Sequence, residues 1–336
     1  MDRTDLTPAG EAHVGEAVPN GLVVRVVQMR YEAPSVLSLE LIRPGGGSLP
    51  PFTAGAHVDV RLAPDCTRSY SLLNNSAERH RYAIAVHLDP DSRGGSRLVH
   101  DRLRVGDLIS ISSPKNHFSL DENAEHSVLI AGGIGVTPLL SMAQRLNVLG
   151  RPWQMLYAAR SRSSAAFLDQ LESIRAAGVG CLDFHFDDEV GGVPPDLSSV
   201  VASAPSGSHF YCCGPSPMLE AFRLLTNGIP EGRVHFEYFA AAQEAAVSAG
   251  YELVLAKSGK SVEVLPGMTL LQAILDAKVD VNYACSQGVC GTCLTRVLEG
   301  QPDHRDNYLN DEERASNSMI MVCCSGAKSA RLVLDL

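Results

Sequence analysis

The pattern of apolar and polar positions changes rhythm twice along the chain. Between residues 22 and 112 the apolar residues fall in short runs, Leu22–Met29, Val36–Leu41, His57–Leu62, Arg68–Leu72, Tyr82–His87 and Leu108–Ser112, separated by Pro, Gly and Asp. Such spacing predicts a small antiparallel β-barrel or sandwich. From Ser127 onward, apolar runs (Ser127–Ala131, Trp153–Ala159, Cys181–Phe186, His209–Cys213) alternate with helix candidates (Thr137–Leu149, Ala165–Ala177, Ser216–Leu225). This alternation predicts an α/β unit with a doubly wound parallel sheet. The stretch Ala240–Gly250 is mostly Ala and reads as a linker with room for a helical turn. Beyond it, Tyr251–Leu255 and Ser261–Val264 predict a hairpin and Thr269–Ala277 a helix, followed by a loop crowded with cysteines. The expected organisation is a flexible tail (1–20), a barrel (21–123), an α/β domain (124–239), a linker (240–250) and a third domain (251–336).

Composition narrows the function. The 336 residues are 45% hydrophobic and carry 28 Lys+Arg against 38 Asp+Glu, a formal charge of −10. No basic excess is present for a nucleic acid or an anionic membrane. The first twenty residues have no apolar stretch of the signal-peptide kind, so the expected compartment is the reducing cytoplasm. There, clustered cysteines serve as metal ligands or redox groups more often than as disulfides.

Five of the nine cysteines fall between Cys285 and Cys324. Cys285-x4-Cys290-x2-Cys293, followed after 29 intervening residues by a further cysteine, has the spacing of plant-type 2Fe-2S ferredoxins. Gly288 and Gly291 suit a loop that must wrap tightly round the thiolates. Structural zinc would more often use two paired knuckles, and this chain has one close pair. Cys323 and Cys324 compete for the fourth position, and spacing alone does not separate them.

Two further motifs belong to the α/β unit. Gly132-Gly133-Ile134-Gly135-Val136-Thr137-Pro138 links a strand to a helix. Thr137 reads as the N-cap and Pro138 as the first helical residue, leaving free amides for a pyrophosphate. Alone this is a common turn. Its weight rises with Cys213-Gly214-Pro215-Ser216, which ends a later strand of the same sheet, where ligands of open α/β sheets bind. Ser216 reads as the cap of the following helix, and Cys213 taken alone is an ordinary buried thiol. In the barrel, Arg68-Ser69-Tyr70-Ser71 sets Arg68 and Tyr70 on one strand face and Ser69 and Ser71 on the other. Arg93-Gly94-Gly95-Ser96 precedes a short helix and forms a turn suited to an anion.

In this order the motifs resemble the phthalate dioxygenase reductase family, which includes vanillate O-demethylase reductases, over nearly the whole chain from Gly21 to Leu336. The resemblance implies an FMN-binding barrel, an NAD-binding α/β domain and a plant-type (β-grasp) ferredoxin domain. It implies that Arg68, Ser69, Tyr70, Ser71, Val86 and His87 hold the flavin, and that Arg93, Gly94, Gly95 and Ser96 hold its phosphate. Gly133, Gly135, Thr137 and Pro138 would take the pyrophosphate, and Cys213, with Gly214 and Pro215, would sit against the nicotinamide. Phe236, Glu237 and Phe239 would lie near the flavin. The cluster ligands would be Cys285, Cys290, Cys293 and Cys323, although Gly326 stands where many relatives carry Arg. Arg160 and Arg162 could attract a 2′-phosphate, whereas Asp187 and Asp188 could favour the free 2′-hydroxyl of NADH. The family prefers NADH.

Hydride transfer to flavin at Ser71 and Cys213, then single-electron passage to the cluster, would make the protein the reductase of a Rieske-type oxygenase. His304, Arg305 and Asp306 are candidates for the contact with that partner or for domain docking, with capping and ion pairing as the plain alternative. A stand-alone NAD(P)H reductase of quinones, cytochromes or ferric complexes is the second reading, and a cluster-based redox sensor the third. A monomer is expected.

Overall fold

The computed structural model describes residues 21–63, 66–90, 94–239, 245–247, 250–283 and 285–336. The expected tail, Arg93 and residues 240–244 and 248–249 of the expected linker lie outside them.

The first sheet contains β1 (Leu22–Ala33), β2 (Val36–Ile42), β3 (His57–Ala63), β4 (Cys66–Ser71), β5 (Tyr82–His87) and β6 (Leu108–Ile111), with helix α1 (Gly95–Asp101) between the last two. The order is β4-β3-β6-β1-β2-β5 and every pairing is antiparallel. Just past β4 the amide of Leu73 donates to the carbonyl of Ala83 on β5 at 2.9 Å, bringing the two end strands together. Val24, Val26, Leu39, Leu41, Val58 and Ile84 fill the interior, as period-2 alternation requires.

The second sheet is all parallel. It comprises β7 (Ser127–Gly132), β8 (Trp153–Ala159), β9 (Cys181–Phe186), β10 (His209–Cys213) and β11 (Val234–Glu237), in the order β11-β10-β7-β8-β9. Helices α2 (Val136–Leu149), α3 (Leu168–Ala176), α4 (Leu197–Ala202) and α5 (Ser216–Leu225) connect these strands. All six positions of β7 are buried, as a central strand covered on both faces demands. The strand order reverses between β7 and β10, and there the crevice opens.

Two expected caps are corrected. A 3-10 turn over Gly133–Gly135 runs directly into α2, so helical bonding begins before Thr137, and Gly135 takes the cap position with no side-chain cap. Thr137 lies in the first turn, its hydroxyl donating to the carbonyl of Ile134 at 3.0 Å. Pro138 is accommodated there because first-turn amides lack intrahelical partners. Ser216 is likewise the first residue of α5, and Pro215 occupies its cap position.

The third unit has β12 (Tyr251–Leu255), β13 (Lys260–Val264), β14 (Leu294–Glu299), β15 (Pro302–Asp303), β16 (Met319–Met321), β17 (Gly326–Ala327) and β18 (Arg331–Leu334). Its mixed five-stranded sheet runs β13-β12-β18-β14-β16, beside the small β15-β17 pair. Helix α6 (Leu270–Asp276) is capped by Thr269, whose Oγ1 accepts from the Gln272 amide at 3.1 Å, and α7 (Asp311–Ser316) follows the cysteine loop. The described end of the expected linker is bound to this unit, with Ala246 N–H donating to Cys324 O at 2.8 Å.

The barrel and the α/β unit share one core. Ala33, Val36, Leu73, Ala83, Ala85 and Phe118 pack with Leu139, Leu140 and Met142 of α2. Ser141 Oγ donates to Asn74 O at 2.9 Å and Gln144 Nε2 to Leu73 O at 2.8 Å, fixing α2 and its glycine turn against the barrel. Among the described residues no helix is long and apolar enough to cross a membrane.

Candidate active site and cluster loop

The β7 and β10 turns meet backbone to backbone in the crevice. A Cβ on Gly135 would lie 2.2 Å from the carbonyl oxygen of Cys213, and one on Gly132 would lie 2.6 Å from Pro215 Cδ and 3.1 Å from Gly214 Cα. Gly133 has φ +53° and nothing within 4 Å of its missing Cβ, so it presents open backbone. This is the cradle that a pyrophosphate at a helix N-terminus requires.

Cys213 ends β10 fully buried, in register with Ala131 on one side and Glu237 on the other. Burial, then the neighbouring Glu237 and Cys212, push its thiol well above the usual range, so it stays a neutral surface and not a nucleophile. Ser71, at the end of β4, reaches the Glu237 carboxyl from the barrel side. Burial raises that carboxyl to about 8, with the Ser71 hydroxyl pulling it partly back. The Oε2 atom of Glu237 is sealed from solvent without a hydrogen-bond partner. Sequence reasoning mentioned Glu237 without isolating it. The signal was the short alternation Val234–Glu237, which forms β11 parallel to β10.

On the barrel, the Arg68 side chain lies over Gly95, where a Cβ would come within 2.7 Å of Arg68 Cγ. The guanidinium strand and the anion turn are thus brought together beside Gly94 and Ser96, with Ser96 Oγ accepting from Asp89 N at 3.2 Å. Tyr70 is half-buried beside the barrel core, and burial raises its phenol. The carbonyl of Val86 is 3.0 Å from His100 Nε2, while His87 is exposed. Ser69 points to the outer face and donates to Asp59 Oδ1 at 2.6 Å. Phe239 packs on the shared core. An open crevice flanked by a cation, an anion turn and a carboxyl with one unpartnered oxygen fits a flavin phosphate and ring.

In the third unit Cys285, Cys290, Cys293 and Cys323 are all buried. Cys323 hydrogen-bonds with both Cys285 and Cys293, and Cys290 with Cys285. These contacts share protons within one close set of thiols, lowering Cys290 and Cys323 while raising Cys285 and Cys293. Among the described residues no three Cys, His, Asp or Glu side chains gather round a single-ion point. The four thiols are linked in one run, Cys290 to Cys285 to Cys323 to Cys293, and a four-sulfur donor set suits a two-iron cluster. Gly291 (φ +74°) leaves room for the ring of Tyr308, which a Cβ would approach to 2.4 Å. Cys324 touches Cys323 but packs away from the other three, against Gly288.

Comparison with known proteins agrees with this layout. Residues 253–328 match the 2Fe-2S iron-sulfur cluster binding domain and residues 129–223 the oxidoreductase NAD-binding domain. The chain is 52% identical, over 93% of its length and 97% of the relative's, to the phenoxybenzoate dioxygenase subunit beta of Ectopseudomonas oleovorans. It is 49% identical, over 93% and 97%, to the tetrachlorobenzoquinone reductase of Sphingobium chlorophenolicum. The solved structure of phthalate dioxygenase reductase, described as a modular structure for electron transfer from pyridine nucleotides to [2Fe-2S], superposes with TM-score 0.77 at 39% identity, covering 94% of this chain and 98% of that one. The chain belongs to the phthalate dioxygenase reductase family.

As a flavin iron-sulfur reductase of this family, the protein must also choose its nucleotide. Arg162 is committed to Glu189 at 3.0 Å and lies over the Phe186 ring at 4.4 Å. Asp187 follows β9 and faces His185 Nε2 at 3.5 Å, while Asp188 N–H donates to the carbonyl of Arg160 at 3.1 Å. Of the expected partner-contact trio, Asp306 faces inward and accepts from the amides of Tyr308 and Leu309 at 3.2 and 2.8 Å, a turn-organising role. Arg305 pairs with Asp303 at 2.9 Å. His304 is nearly buried beside Asp306, at 3.7 Å.

Proposed function

We propose that this reductase takes electrons from NADH through FMN to its 2Fe-2S cluster and delivers them to a Rieske-type oxygenase of aromatic or related compounds. The observation that carries the reading is the convergence of three parts: the β7/β10 crevice closes on Ser71 of the barrel, and the barrel's other face carries the cluster loop. FMN, when bound, accepts a hydride's two electrons and can release them singly, which a one-electron cluster needs. The chain's own residues do the positioning. Gly133, Gly135, Thr137 and Pro138 bind the nucleotide pyrophosphate at the start of α2. Cys213, with Gly214 and Pro215, gives the nicotinamide a dry, neutral floor, and Ser71 with Glu237 orients the facing flavin edge. Arg68, Gly94, Gly95 and Ser96 hold the flavin phosphate, with Tyr70, Val86, His87 and Phe239 lining the flavin site, while Ser69, turned outward and bonded to Asp59, stays out of it. Arg93 joins them by the resemblance alone. Asp187 takes the ribose hydroxyls, and the engagement of Arg162 by Glu189 favours NADH over NADPH. Cys285, Cys290, Cys293 and Cys323 ligate the cluster.

The domain limits are 21–123, 124–239 and 251–336, and the protein works as a cytoplasmic monomer. Its charge of −10 suits a partner with a basic docking face. Reconstitution tests the reading: purified reductase, NADH and a panel of Rieske oxygenases should give substrate-dependent oxygen uptake with at least one. The tetrachlorobenzoquinone reductase relative favours a second reading, direct reduction of a quinone. Rapid NADH-dependent quinone turnover with no oxygenase coupling would establish that one instead.

A further inference from the structure

The barrel and the ferredoxin unit meet along a polar seam. On the barrel side Asp59 of β3 is 2% exposed, and a carboxylate withdrawn that far from water needs partners. Ser69 Oγ donates to its Oδ1 at 2.6 Å and Lys115 Nζ to its Oδ2 at 2.6 Å. Lys115 is anchored by a two-way backbone bridge to His57, with N–H donating to carbonyl at 2.9 and 2.8 Å. The same ammonium crosses to the ferredoxin unit and donates to Thr292 Oγ1 at 3.2 Å. Thr292 Oγ1 is 3.4 Å from Cys290 Sγ. Beside this chain the His117 and Tyr308 rings meet edge to face across the seam, 5.7 Å apart.

The chemistry of the groups fixes the direction of these bonds. An ammonium only donates, so Thr292 must accept from Lys115 and keeps its one hydroxyl proton for another acceptor. A cysteine sulfur bound to iron is a thiolate with no proton to give, so that acceptor is Cys290. Asp59 cancels much of the ammonium's long-range field. What reaches the sulfur is therefore an oriented O–H and not a bare charge.

We propose that Lys115 of the flavin barrel is a positioning residue that aims the Thr292 hydroxyl at Cys290 and thereby raises the reduction potential of the cluster, but only while the two domains are docked. This rests on the reading of Cys290 as a cluster ligand. Each transfer brings one electron and one negative charge to the cluster, with no bond made or broken. A hydrogen bond to a ligand sulfur stabilises that added charge.

The test uses the holoenzyme. Lys115→Met keeps the stem and removes the donor, Thr292→Val removes the hydroxyl, and Thr292→Ser restores it. The cluster's midpoint potential is followed by its EPR signal, with the stopped-flow rate of flavin reduction by NADH as a control for Lys115→Met. Lys115→Met and Thr292→Val should each lower the potential by an amount worth about tenfold in the flavin-to-cluster partition, ~59 mV for one electron. The double variant should add little, Thr292→Ser should stay near the parent, and Lys115→Met should leave flavin reduction unchanged. A Lys115→Met potential equal to the parent's overturns the proposal, and so do additive shifts in the double variant. If Thr292→Val fails to assemble a cluster, Lys115→Met decides alone, since it lies outside the loop. A parent protein with no 2Fe-2S signal would instead overturn the ligand reading beneath it.

Discussion

The backbone of Gly135 faces the carbonyl of Cys213 so closely that a Cβ would sit 2.2 Å from its oxygen and 2.5 Å from its carbon. Two turns far apart in sequence are in mutual contact because the switch in strand order puts β10 beside β7. The glycines of the nucleotide turn therefore serve two ends. Gly135 lets the crevice close, and Gly133 leaves its floor bare.

Gly135→Ala should consequently force the turns apart. Overpacking of this kind costs about 1–3 kcal/mol. A lower urea midpoint should accompany a raised KM for NADH. Gly133→Ala meets no atom within 4 Å and bears only the cost of its left-handed φ of +53°, about 1–2 kcal/mol. Equal effects on KM from the two variants would contradict this division of roles.

Arg68 resting on Gly95 gives a second prediction. An added Cβ would lie 2.7 Å from Arg68 Cγ and 2.8 Å from its Nε, so Gly95→Ala must displace the guanidinium. A charge-assisted hydrogen bond contributes about 1.5–3 kcal/mol. Flavin retention should therefore weaken roughly 10- to 100-fold in Gly95→Ala, read by equilibrium dialysis, and similarly in Arg68→Ala. The cluster's visible absorption should be unaffected in both.

Much of the fold was legible because alternation and apolar runs report burial directly. The runs Cys181–Phe186, His209–Cys213 and Tyr251–Leu255 are strands with those very limits. The caps were misread for a local reason: a 3-10 turn starts the helical path before Thr137, and sequence gives that turn no signature distinct from a glycine loop. Glu237 was hard to single out because four residues of β11 carry little periodicity and its significance comes from Cys213 and Ser71, on other strands. The bond from Lys115 to Thr292 spans 177 positions, and no local pattern encodes it.

Contacts favour Cys323 over Cys324, a choice that spacing alone leaves open. Cys323 touches Cys285 and Cys293, whereas Cys324 touches Cys323 and lies against Gly288 and Met321 O. Cys323→Ser should abolish the cluster's visible absorption and leave bound flavin in place. Cys324→Ser should retain both chromophores. Loss of the cluster in Cys324→Ser with retention in Cys323→Ser would reverse the assignment.

Glu237 links the hydride site to pH. Burial lifts its carboxyl from 4.5 to about 8, against the pull of the Ser71 hydroxyl. The folded protein thus keeps a proton that the unfolded chain gives up near the ordinary carboxyl value. Where the folded state binds more protons, stability falls as pH rises. The contribution is fully present below the unfolded value and is lost progressively up to about 8, at no more than about 1.4 kcal/mol per pH unit. Glu237→Gln, neutral throughout, should remove that slope, so its thermal midpoint should gain on the parent's as pH rises through the window. The two curves should converge at its acid end and run parallel above it. Parallel curves across the whole window would mean that Glu237 is ionised in the folded protein at neutral pH, as an ordinary surface carboxylate would be.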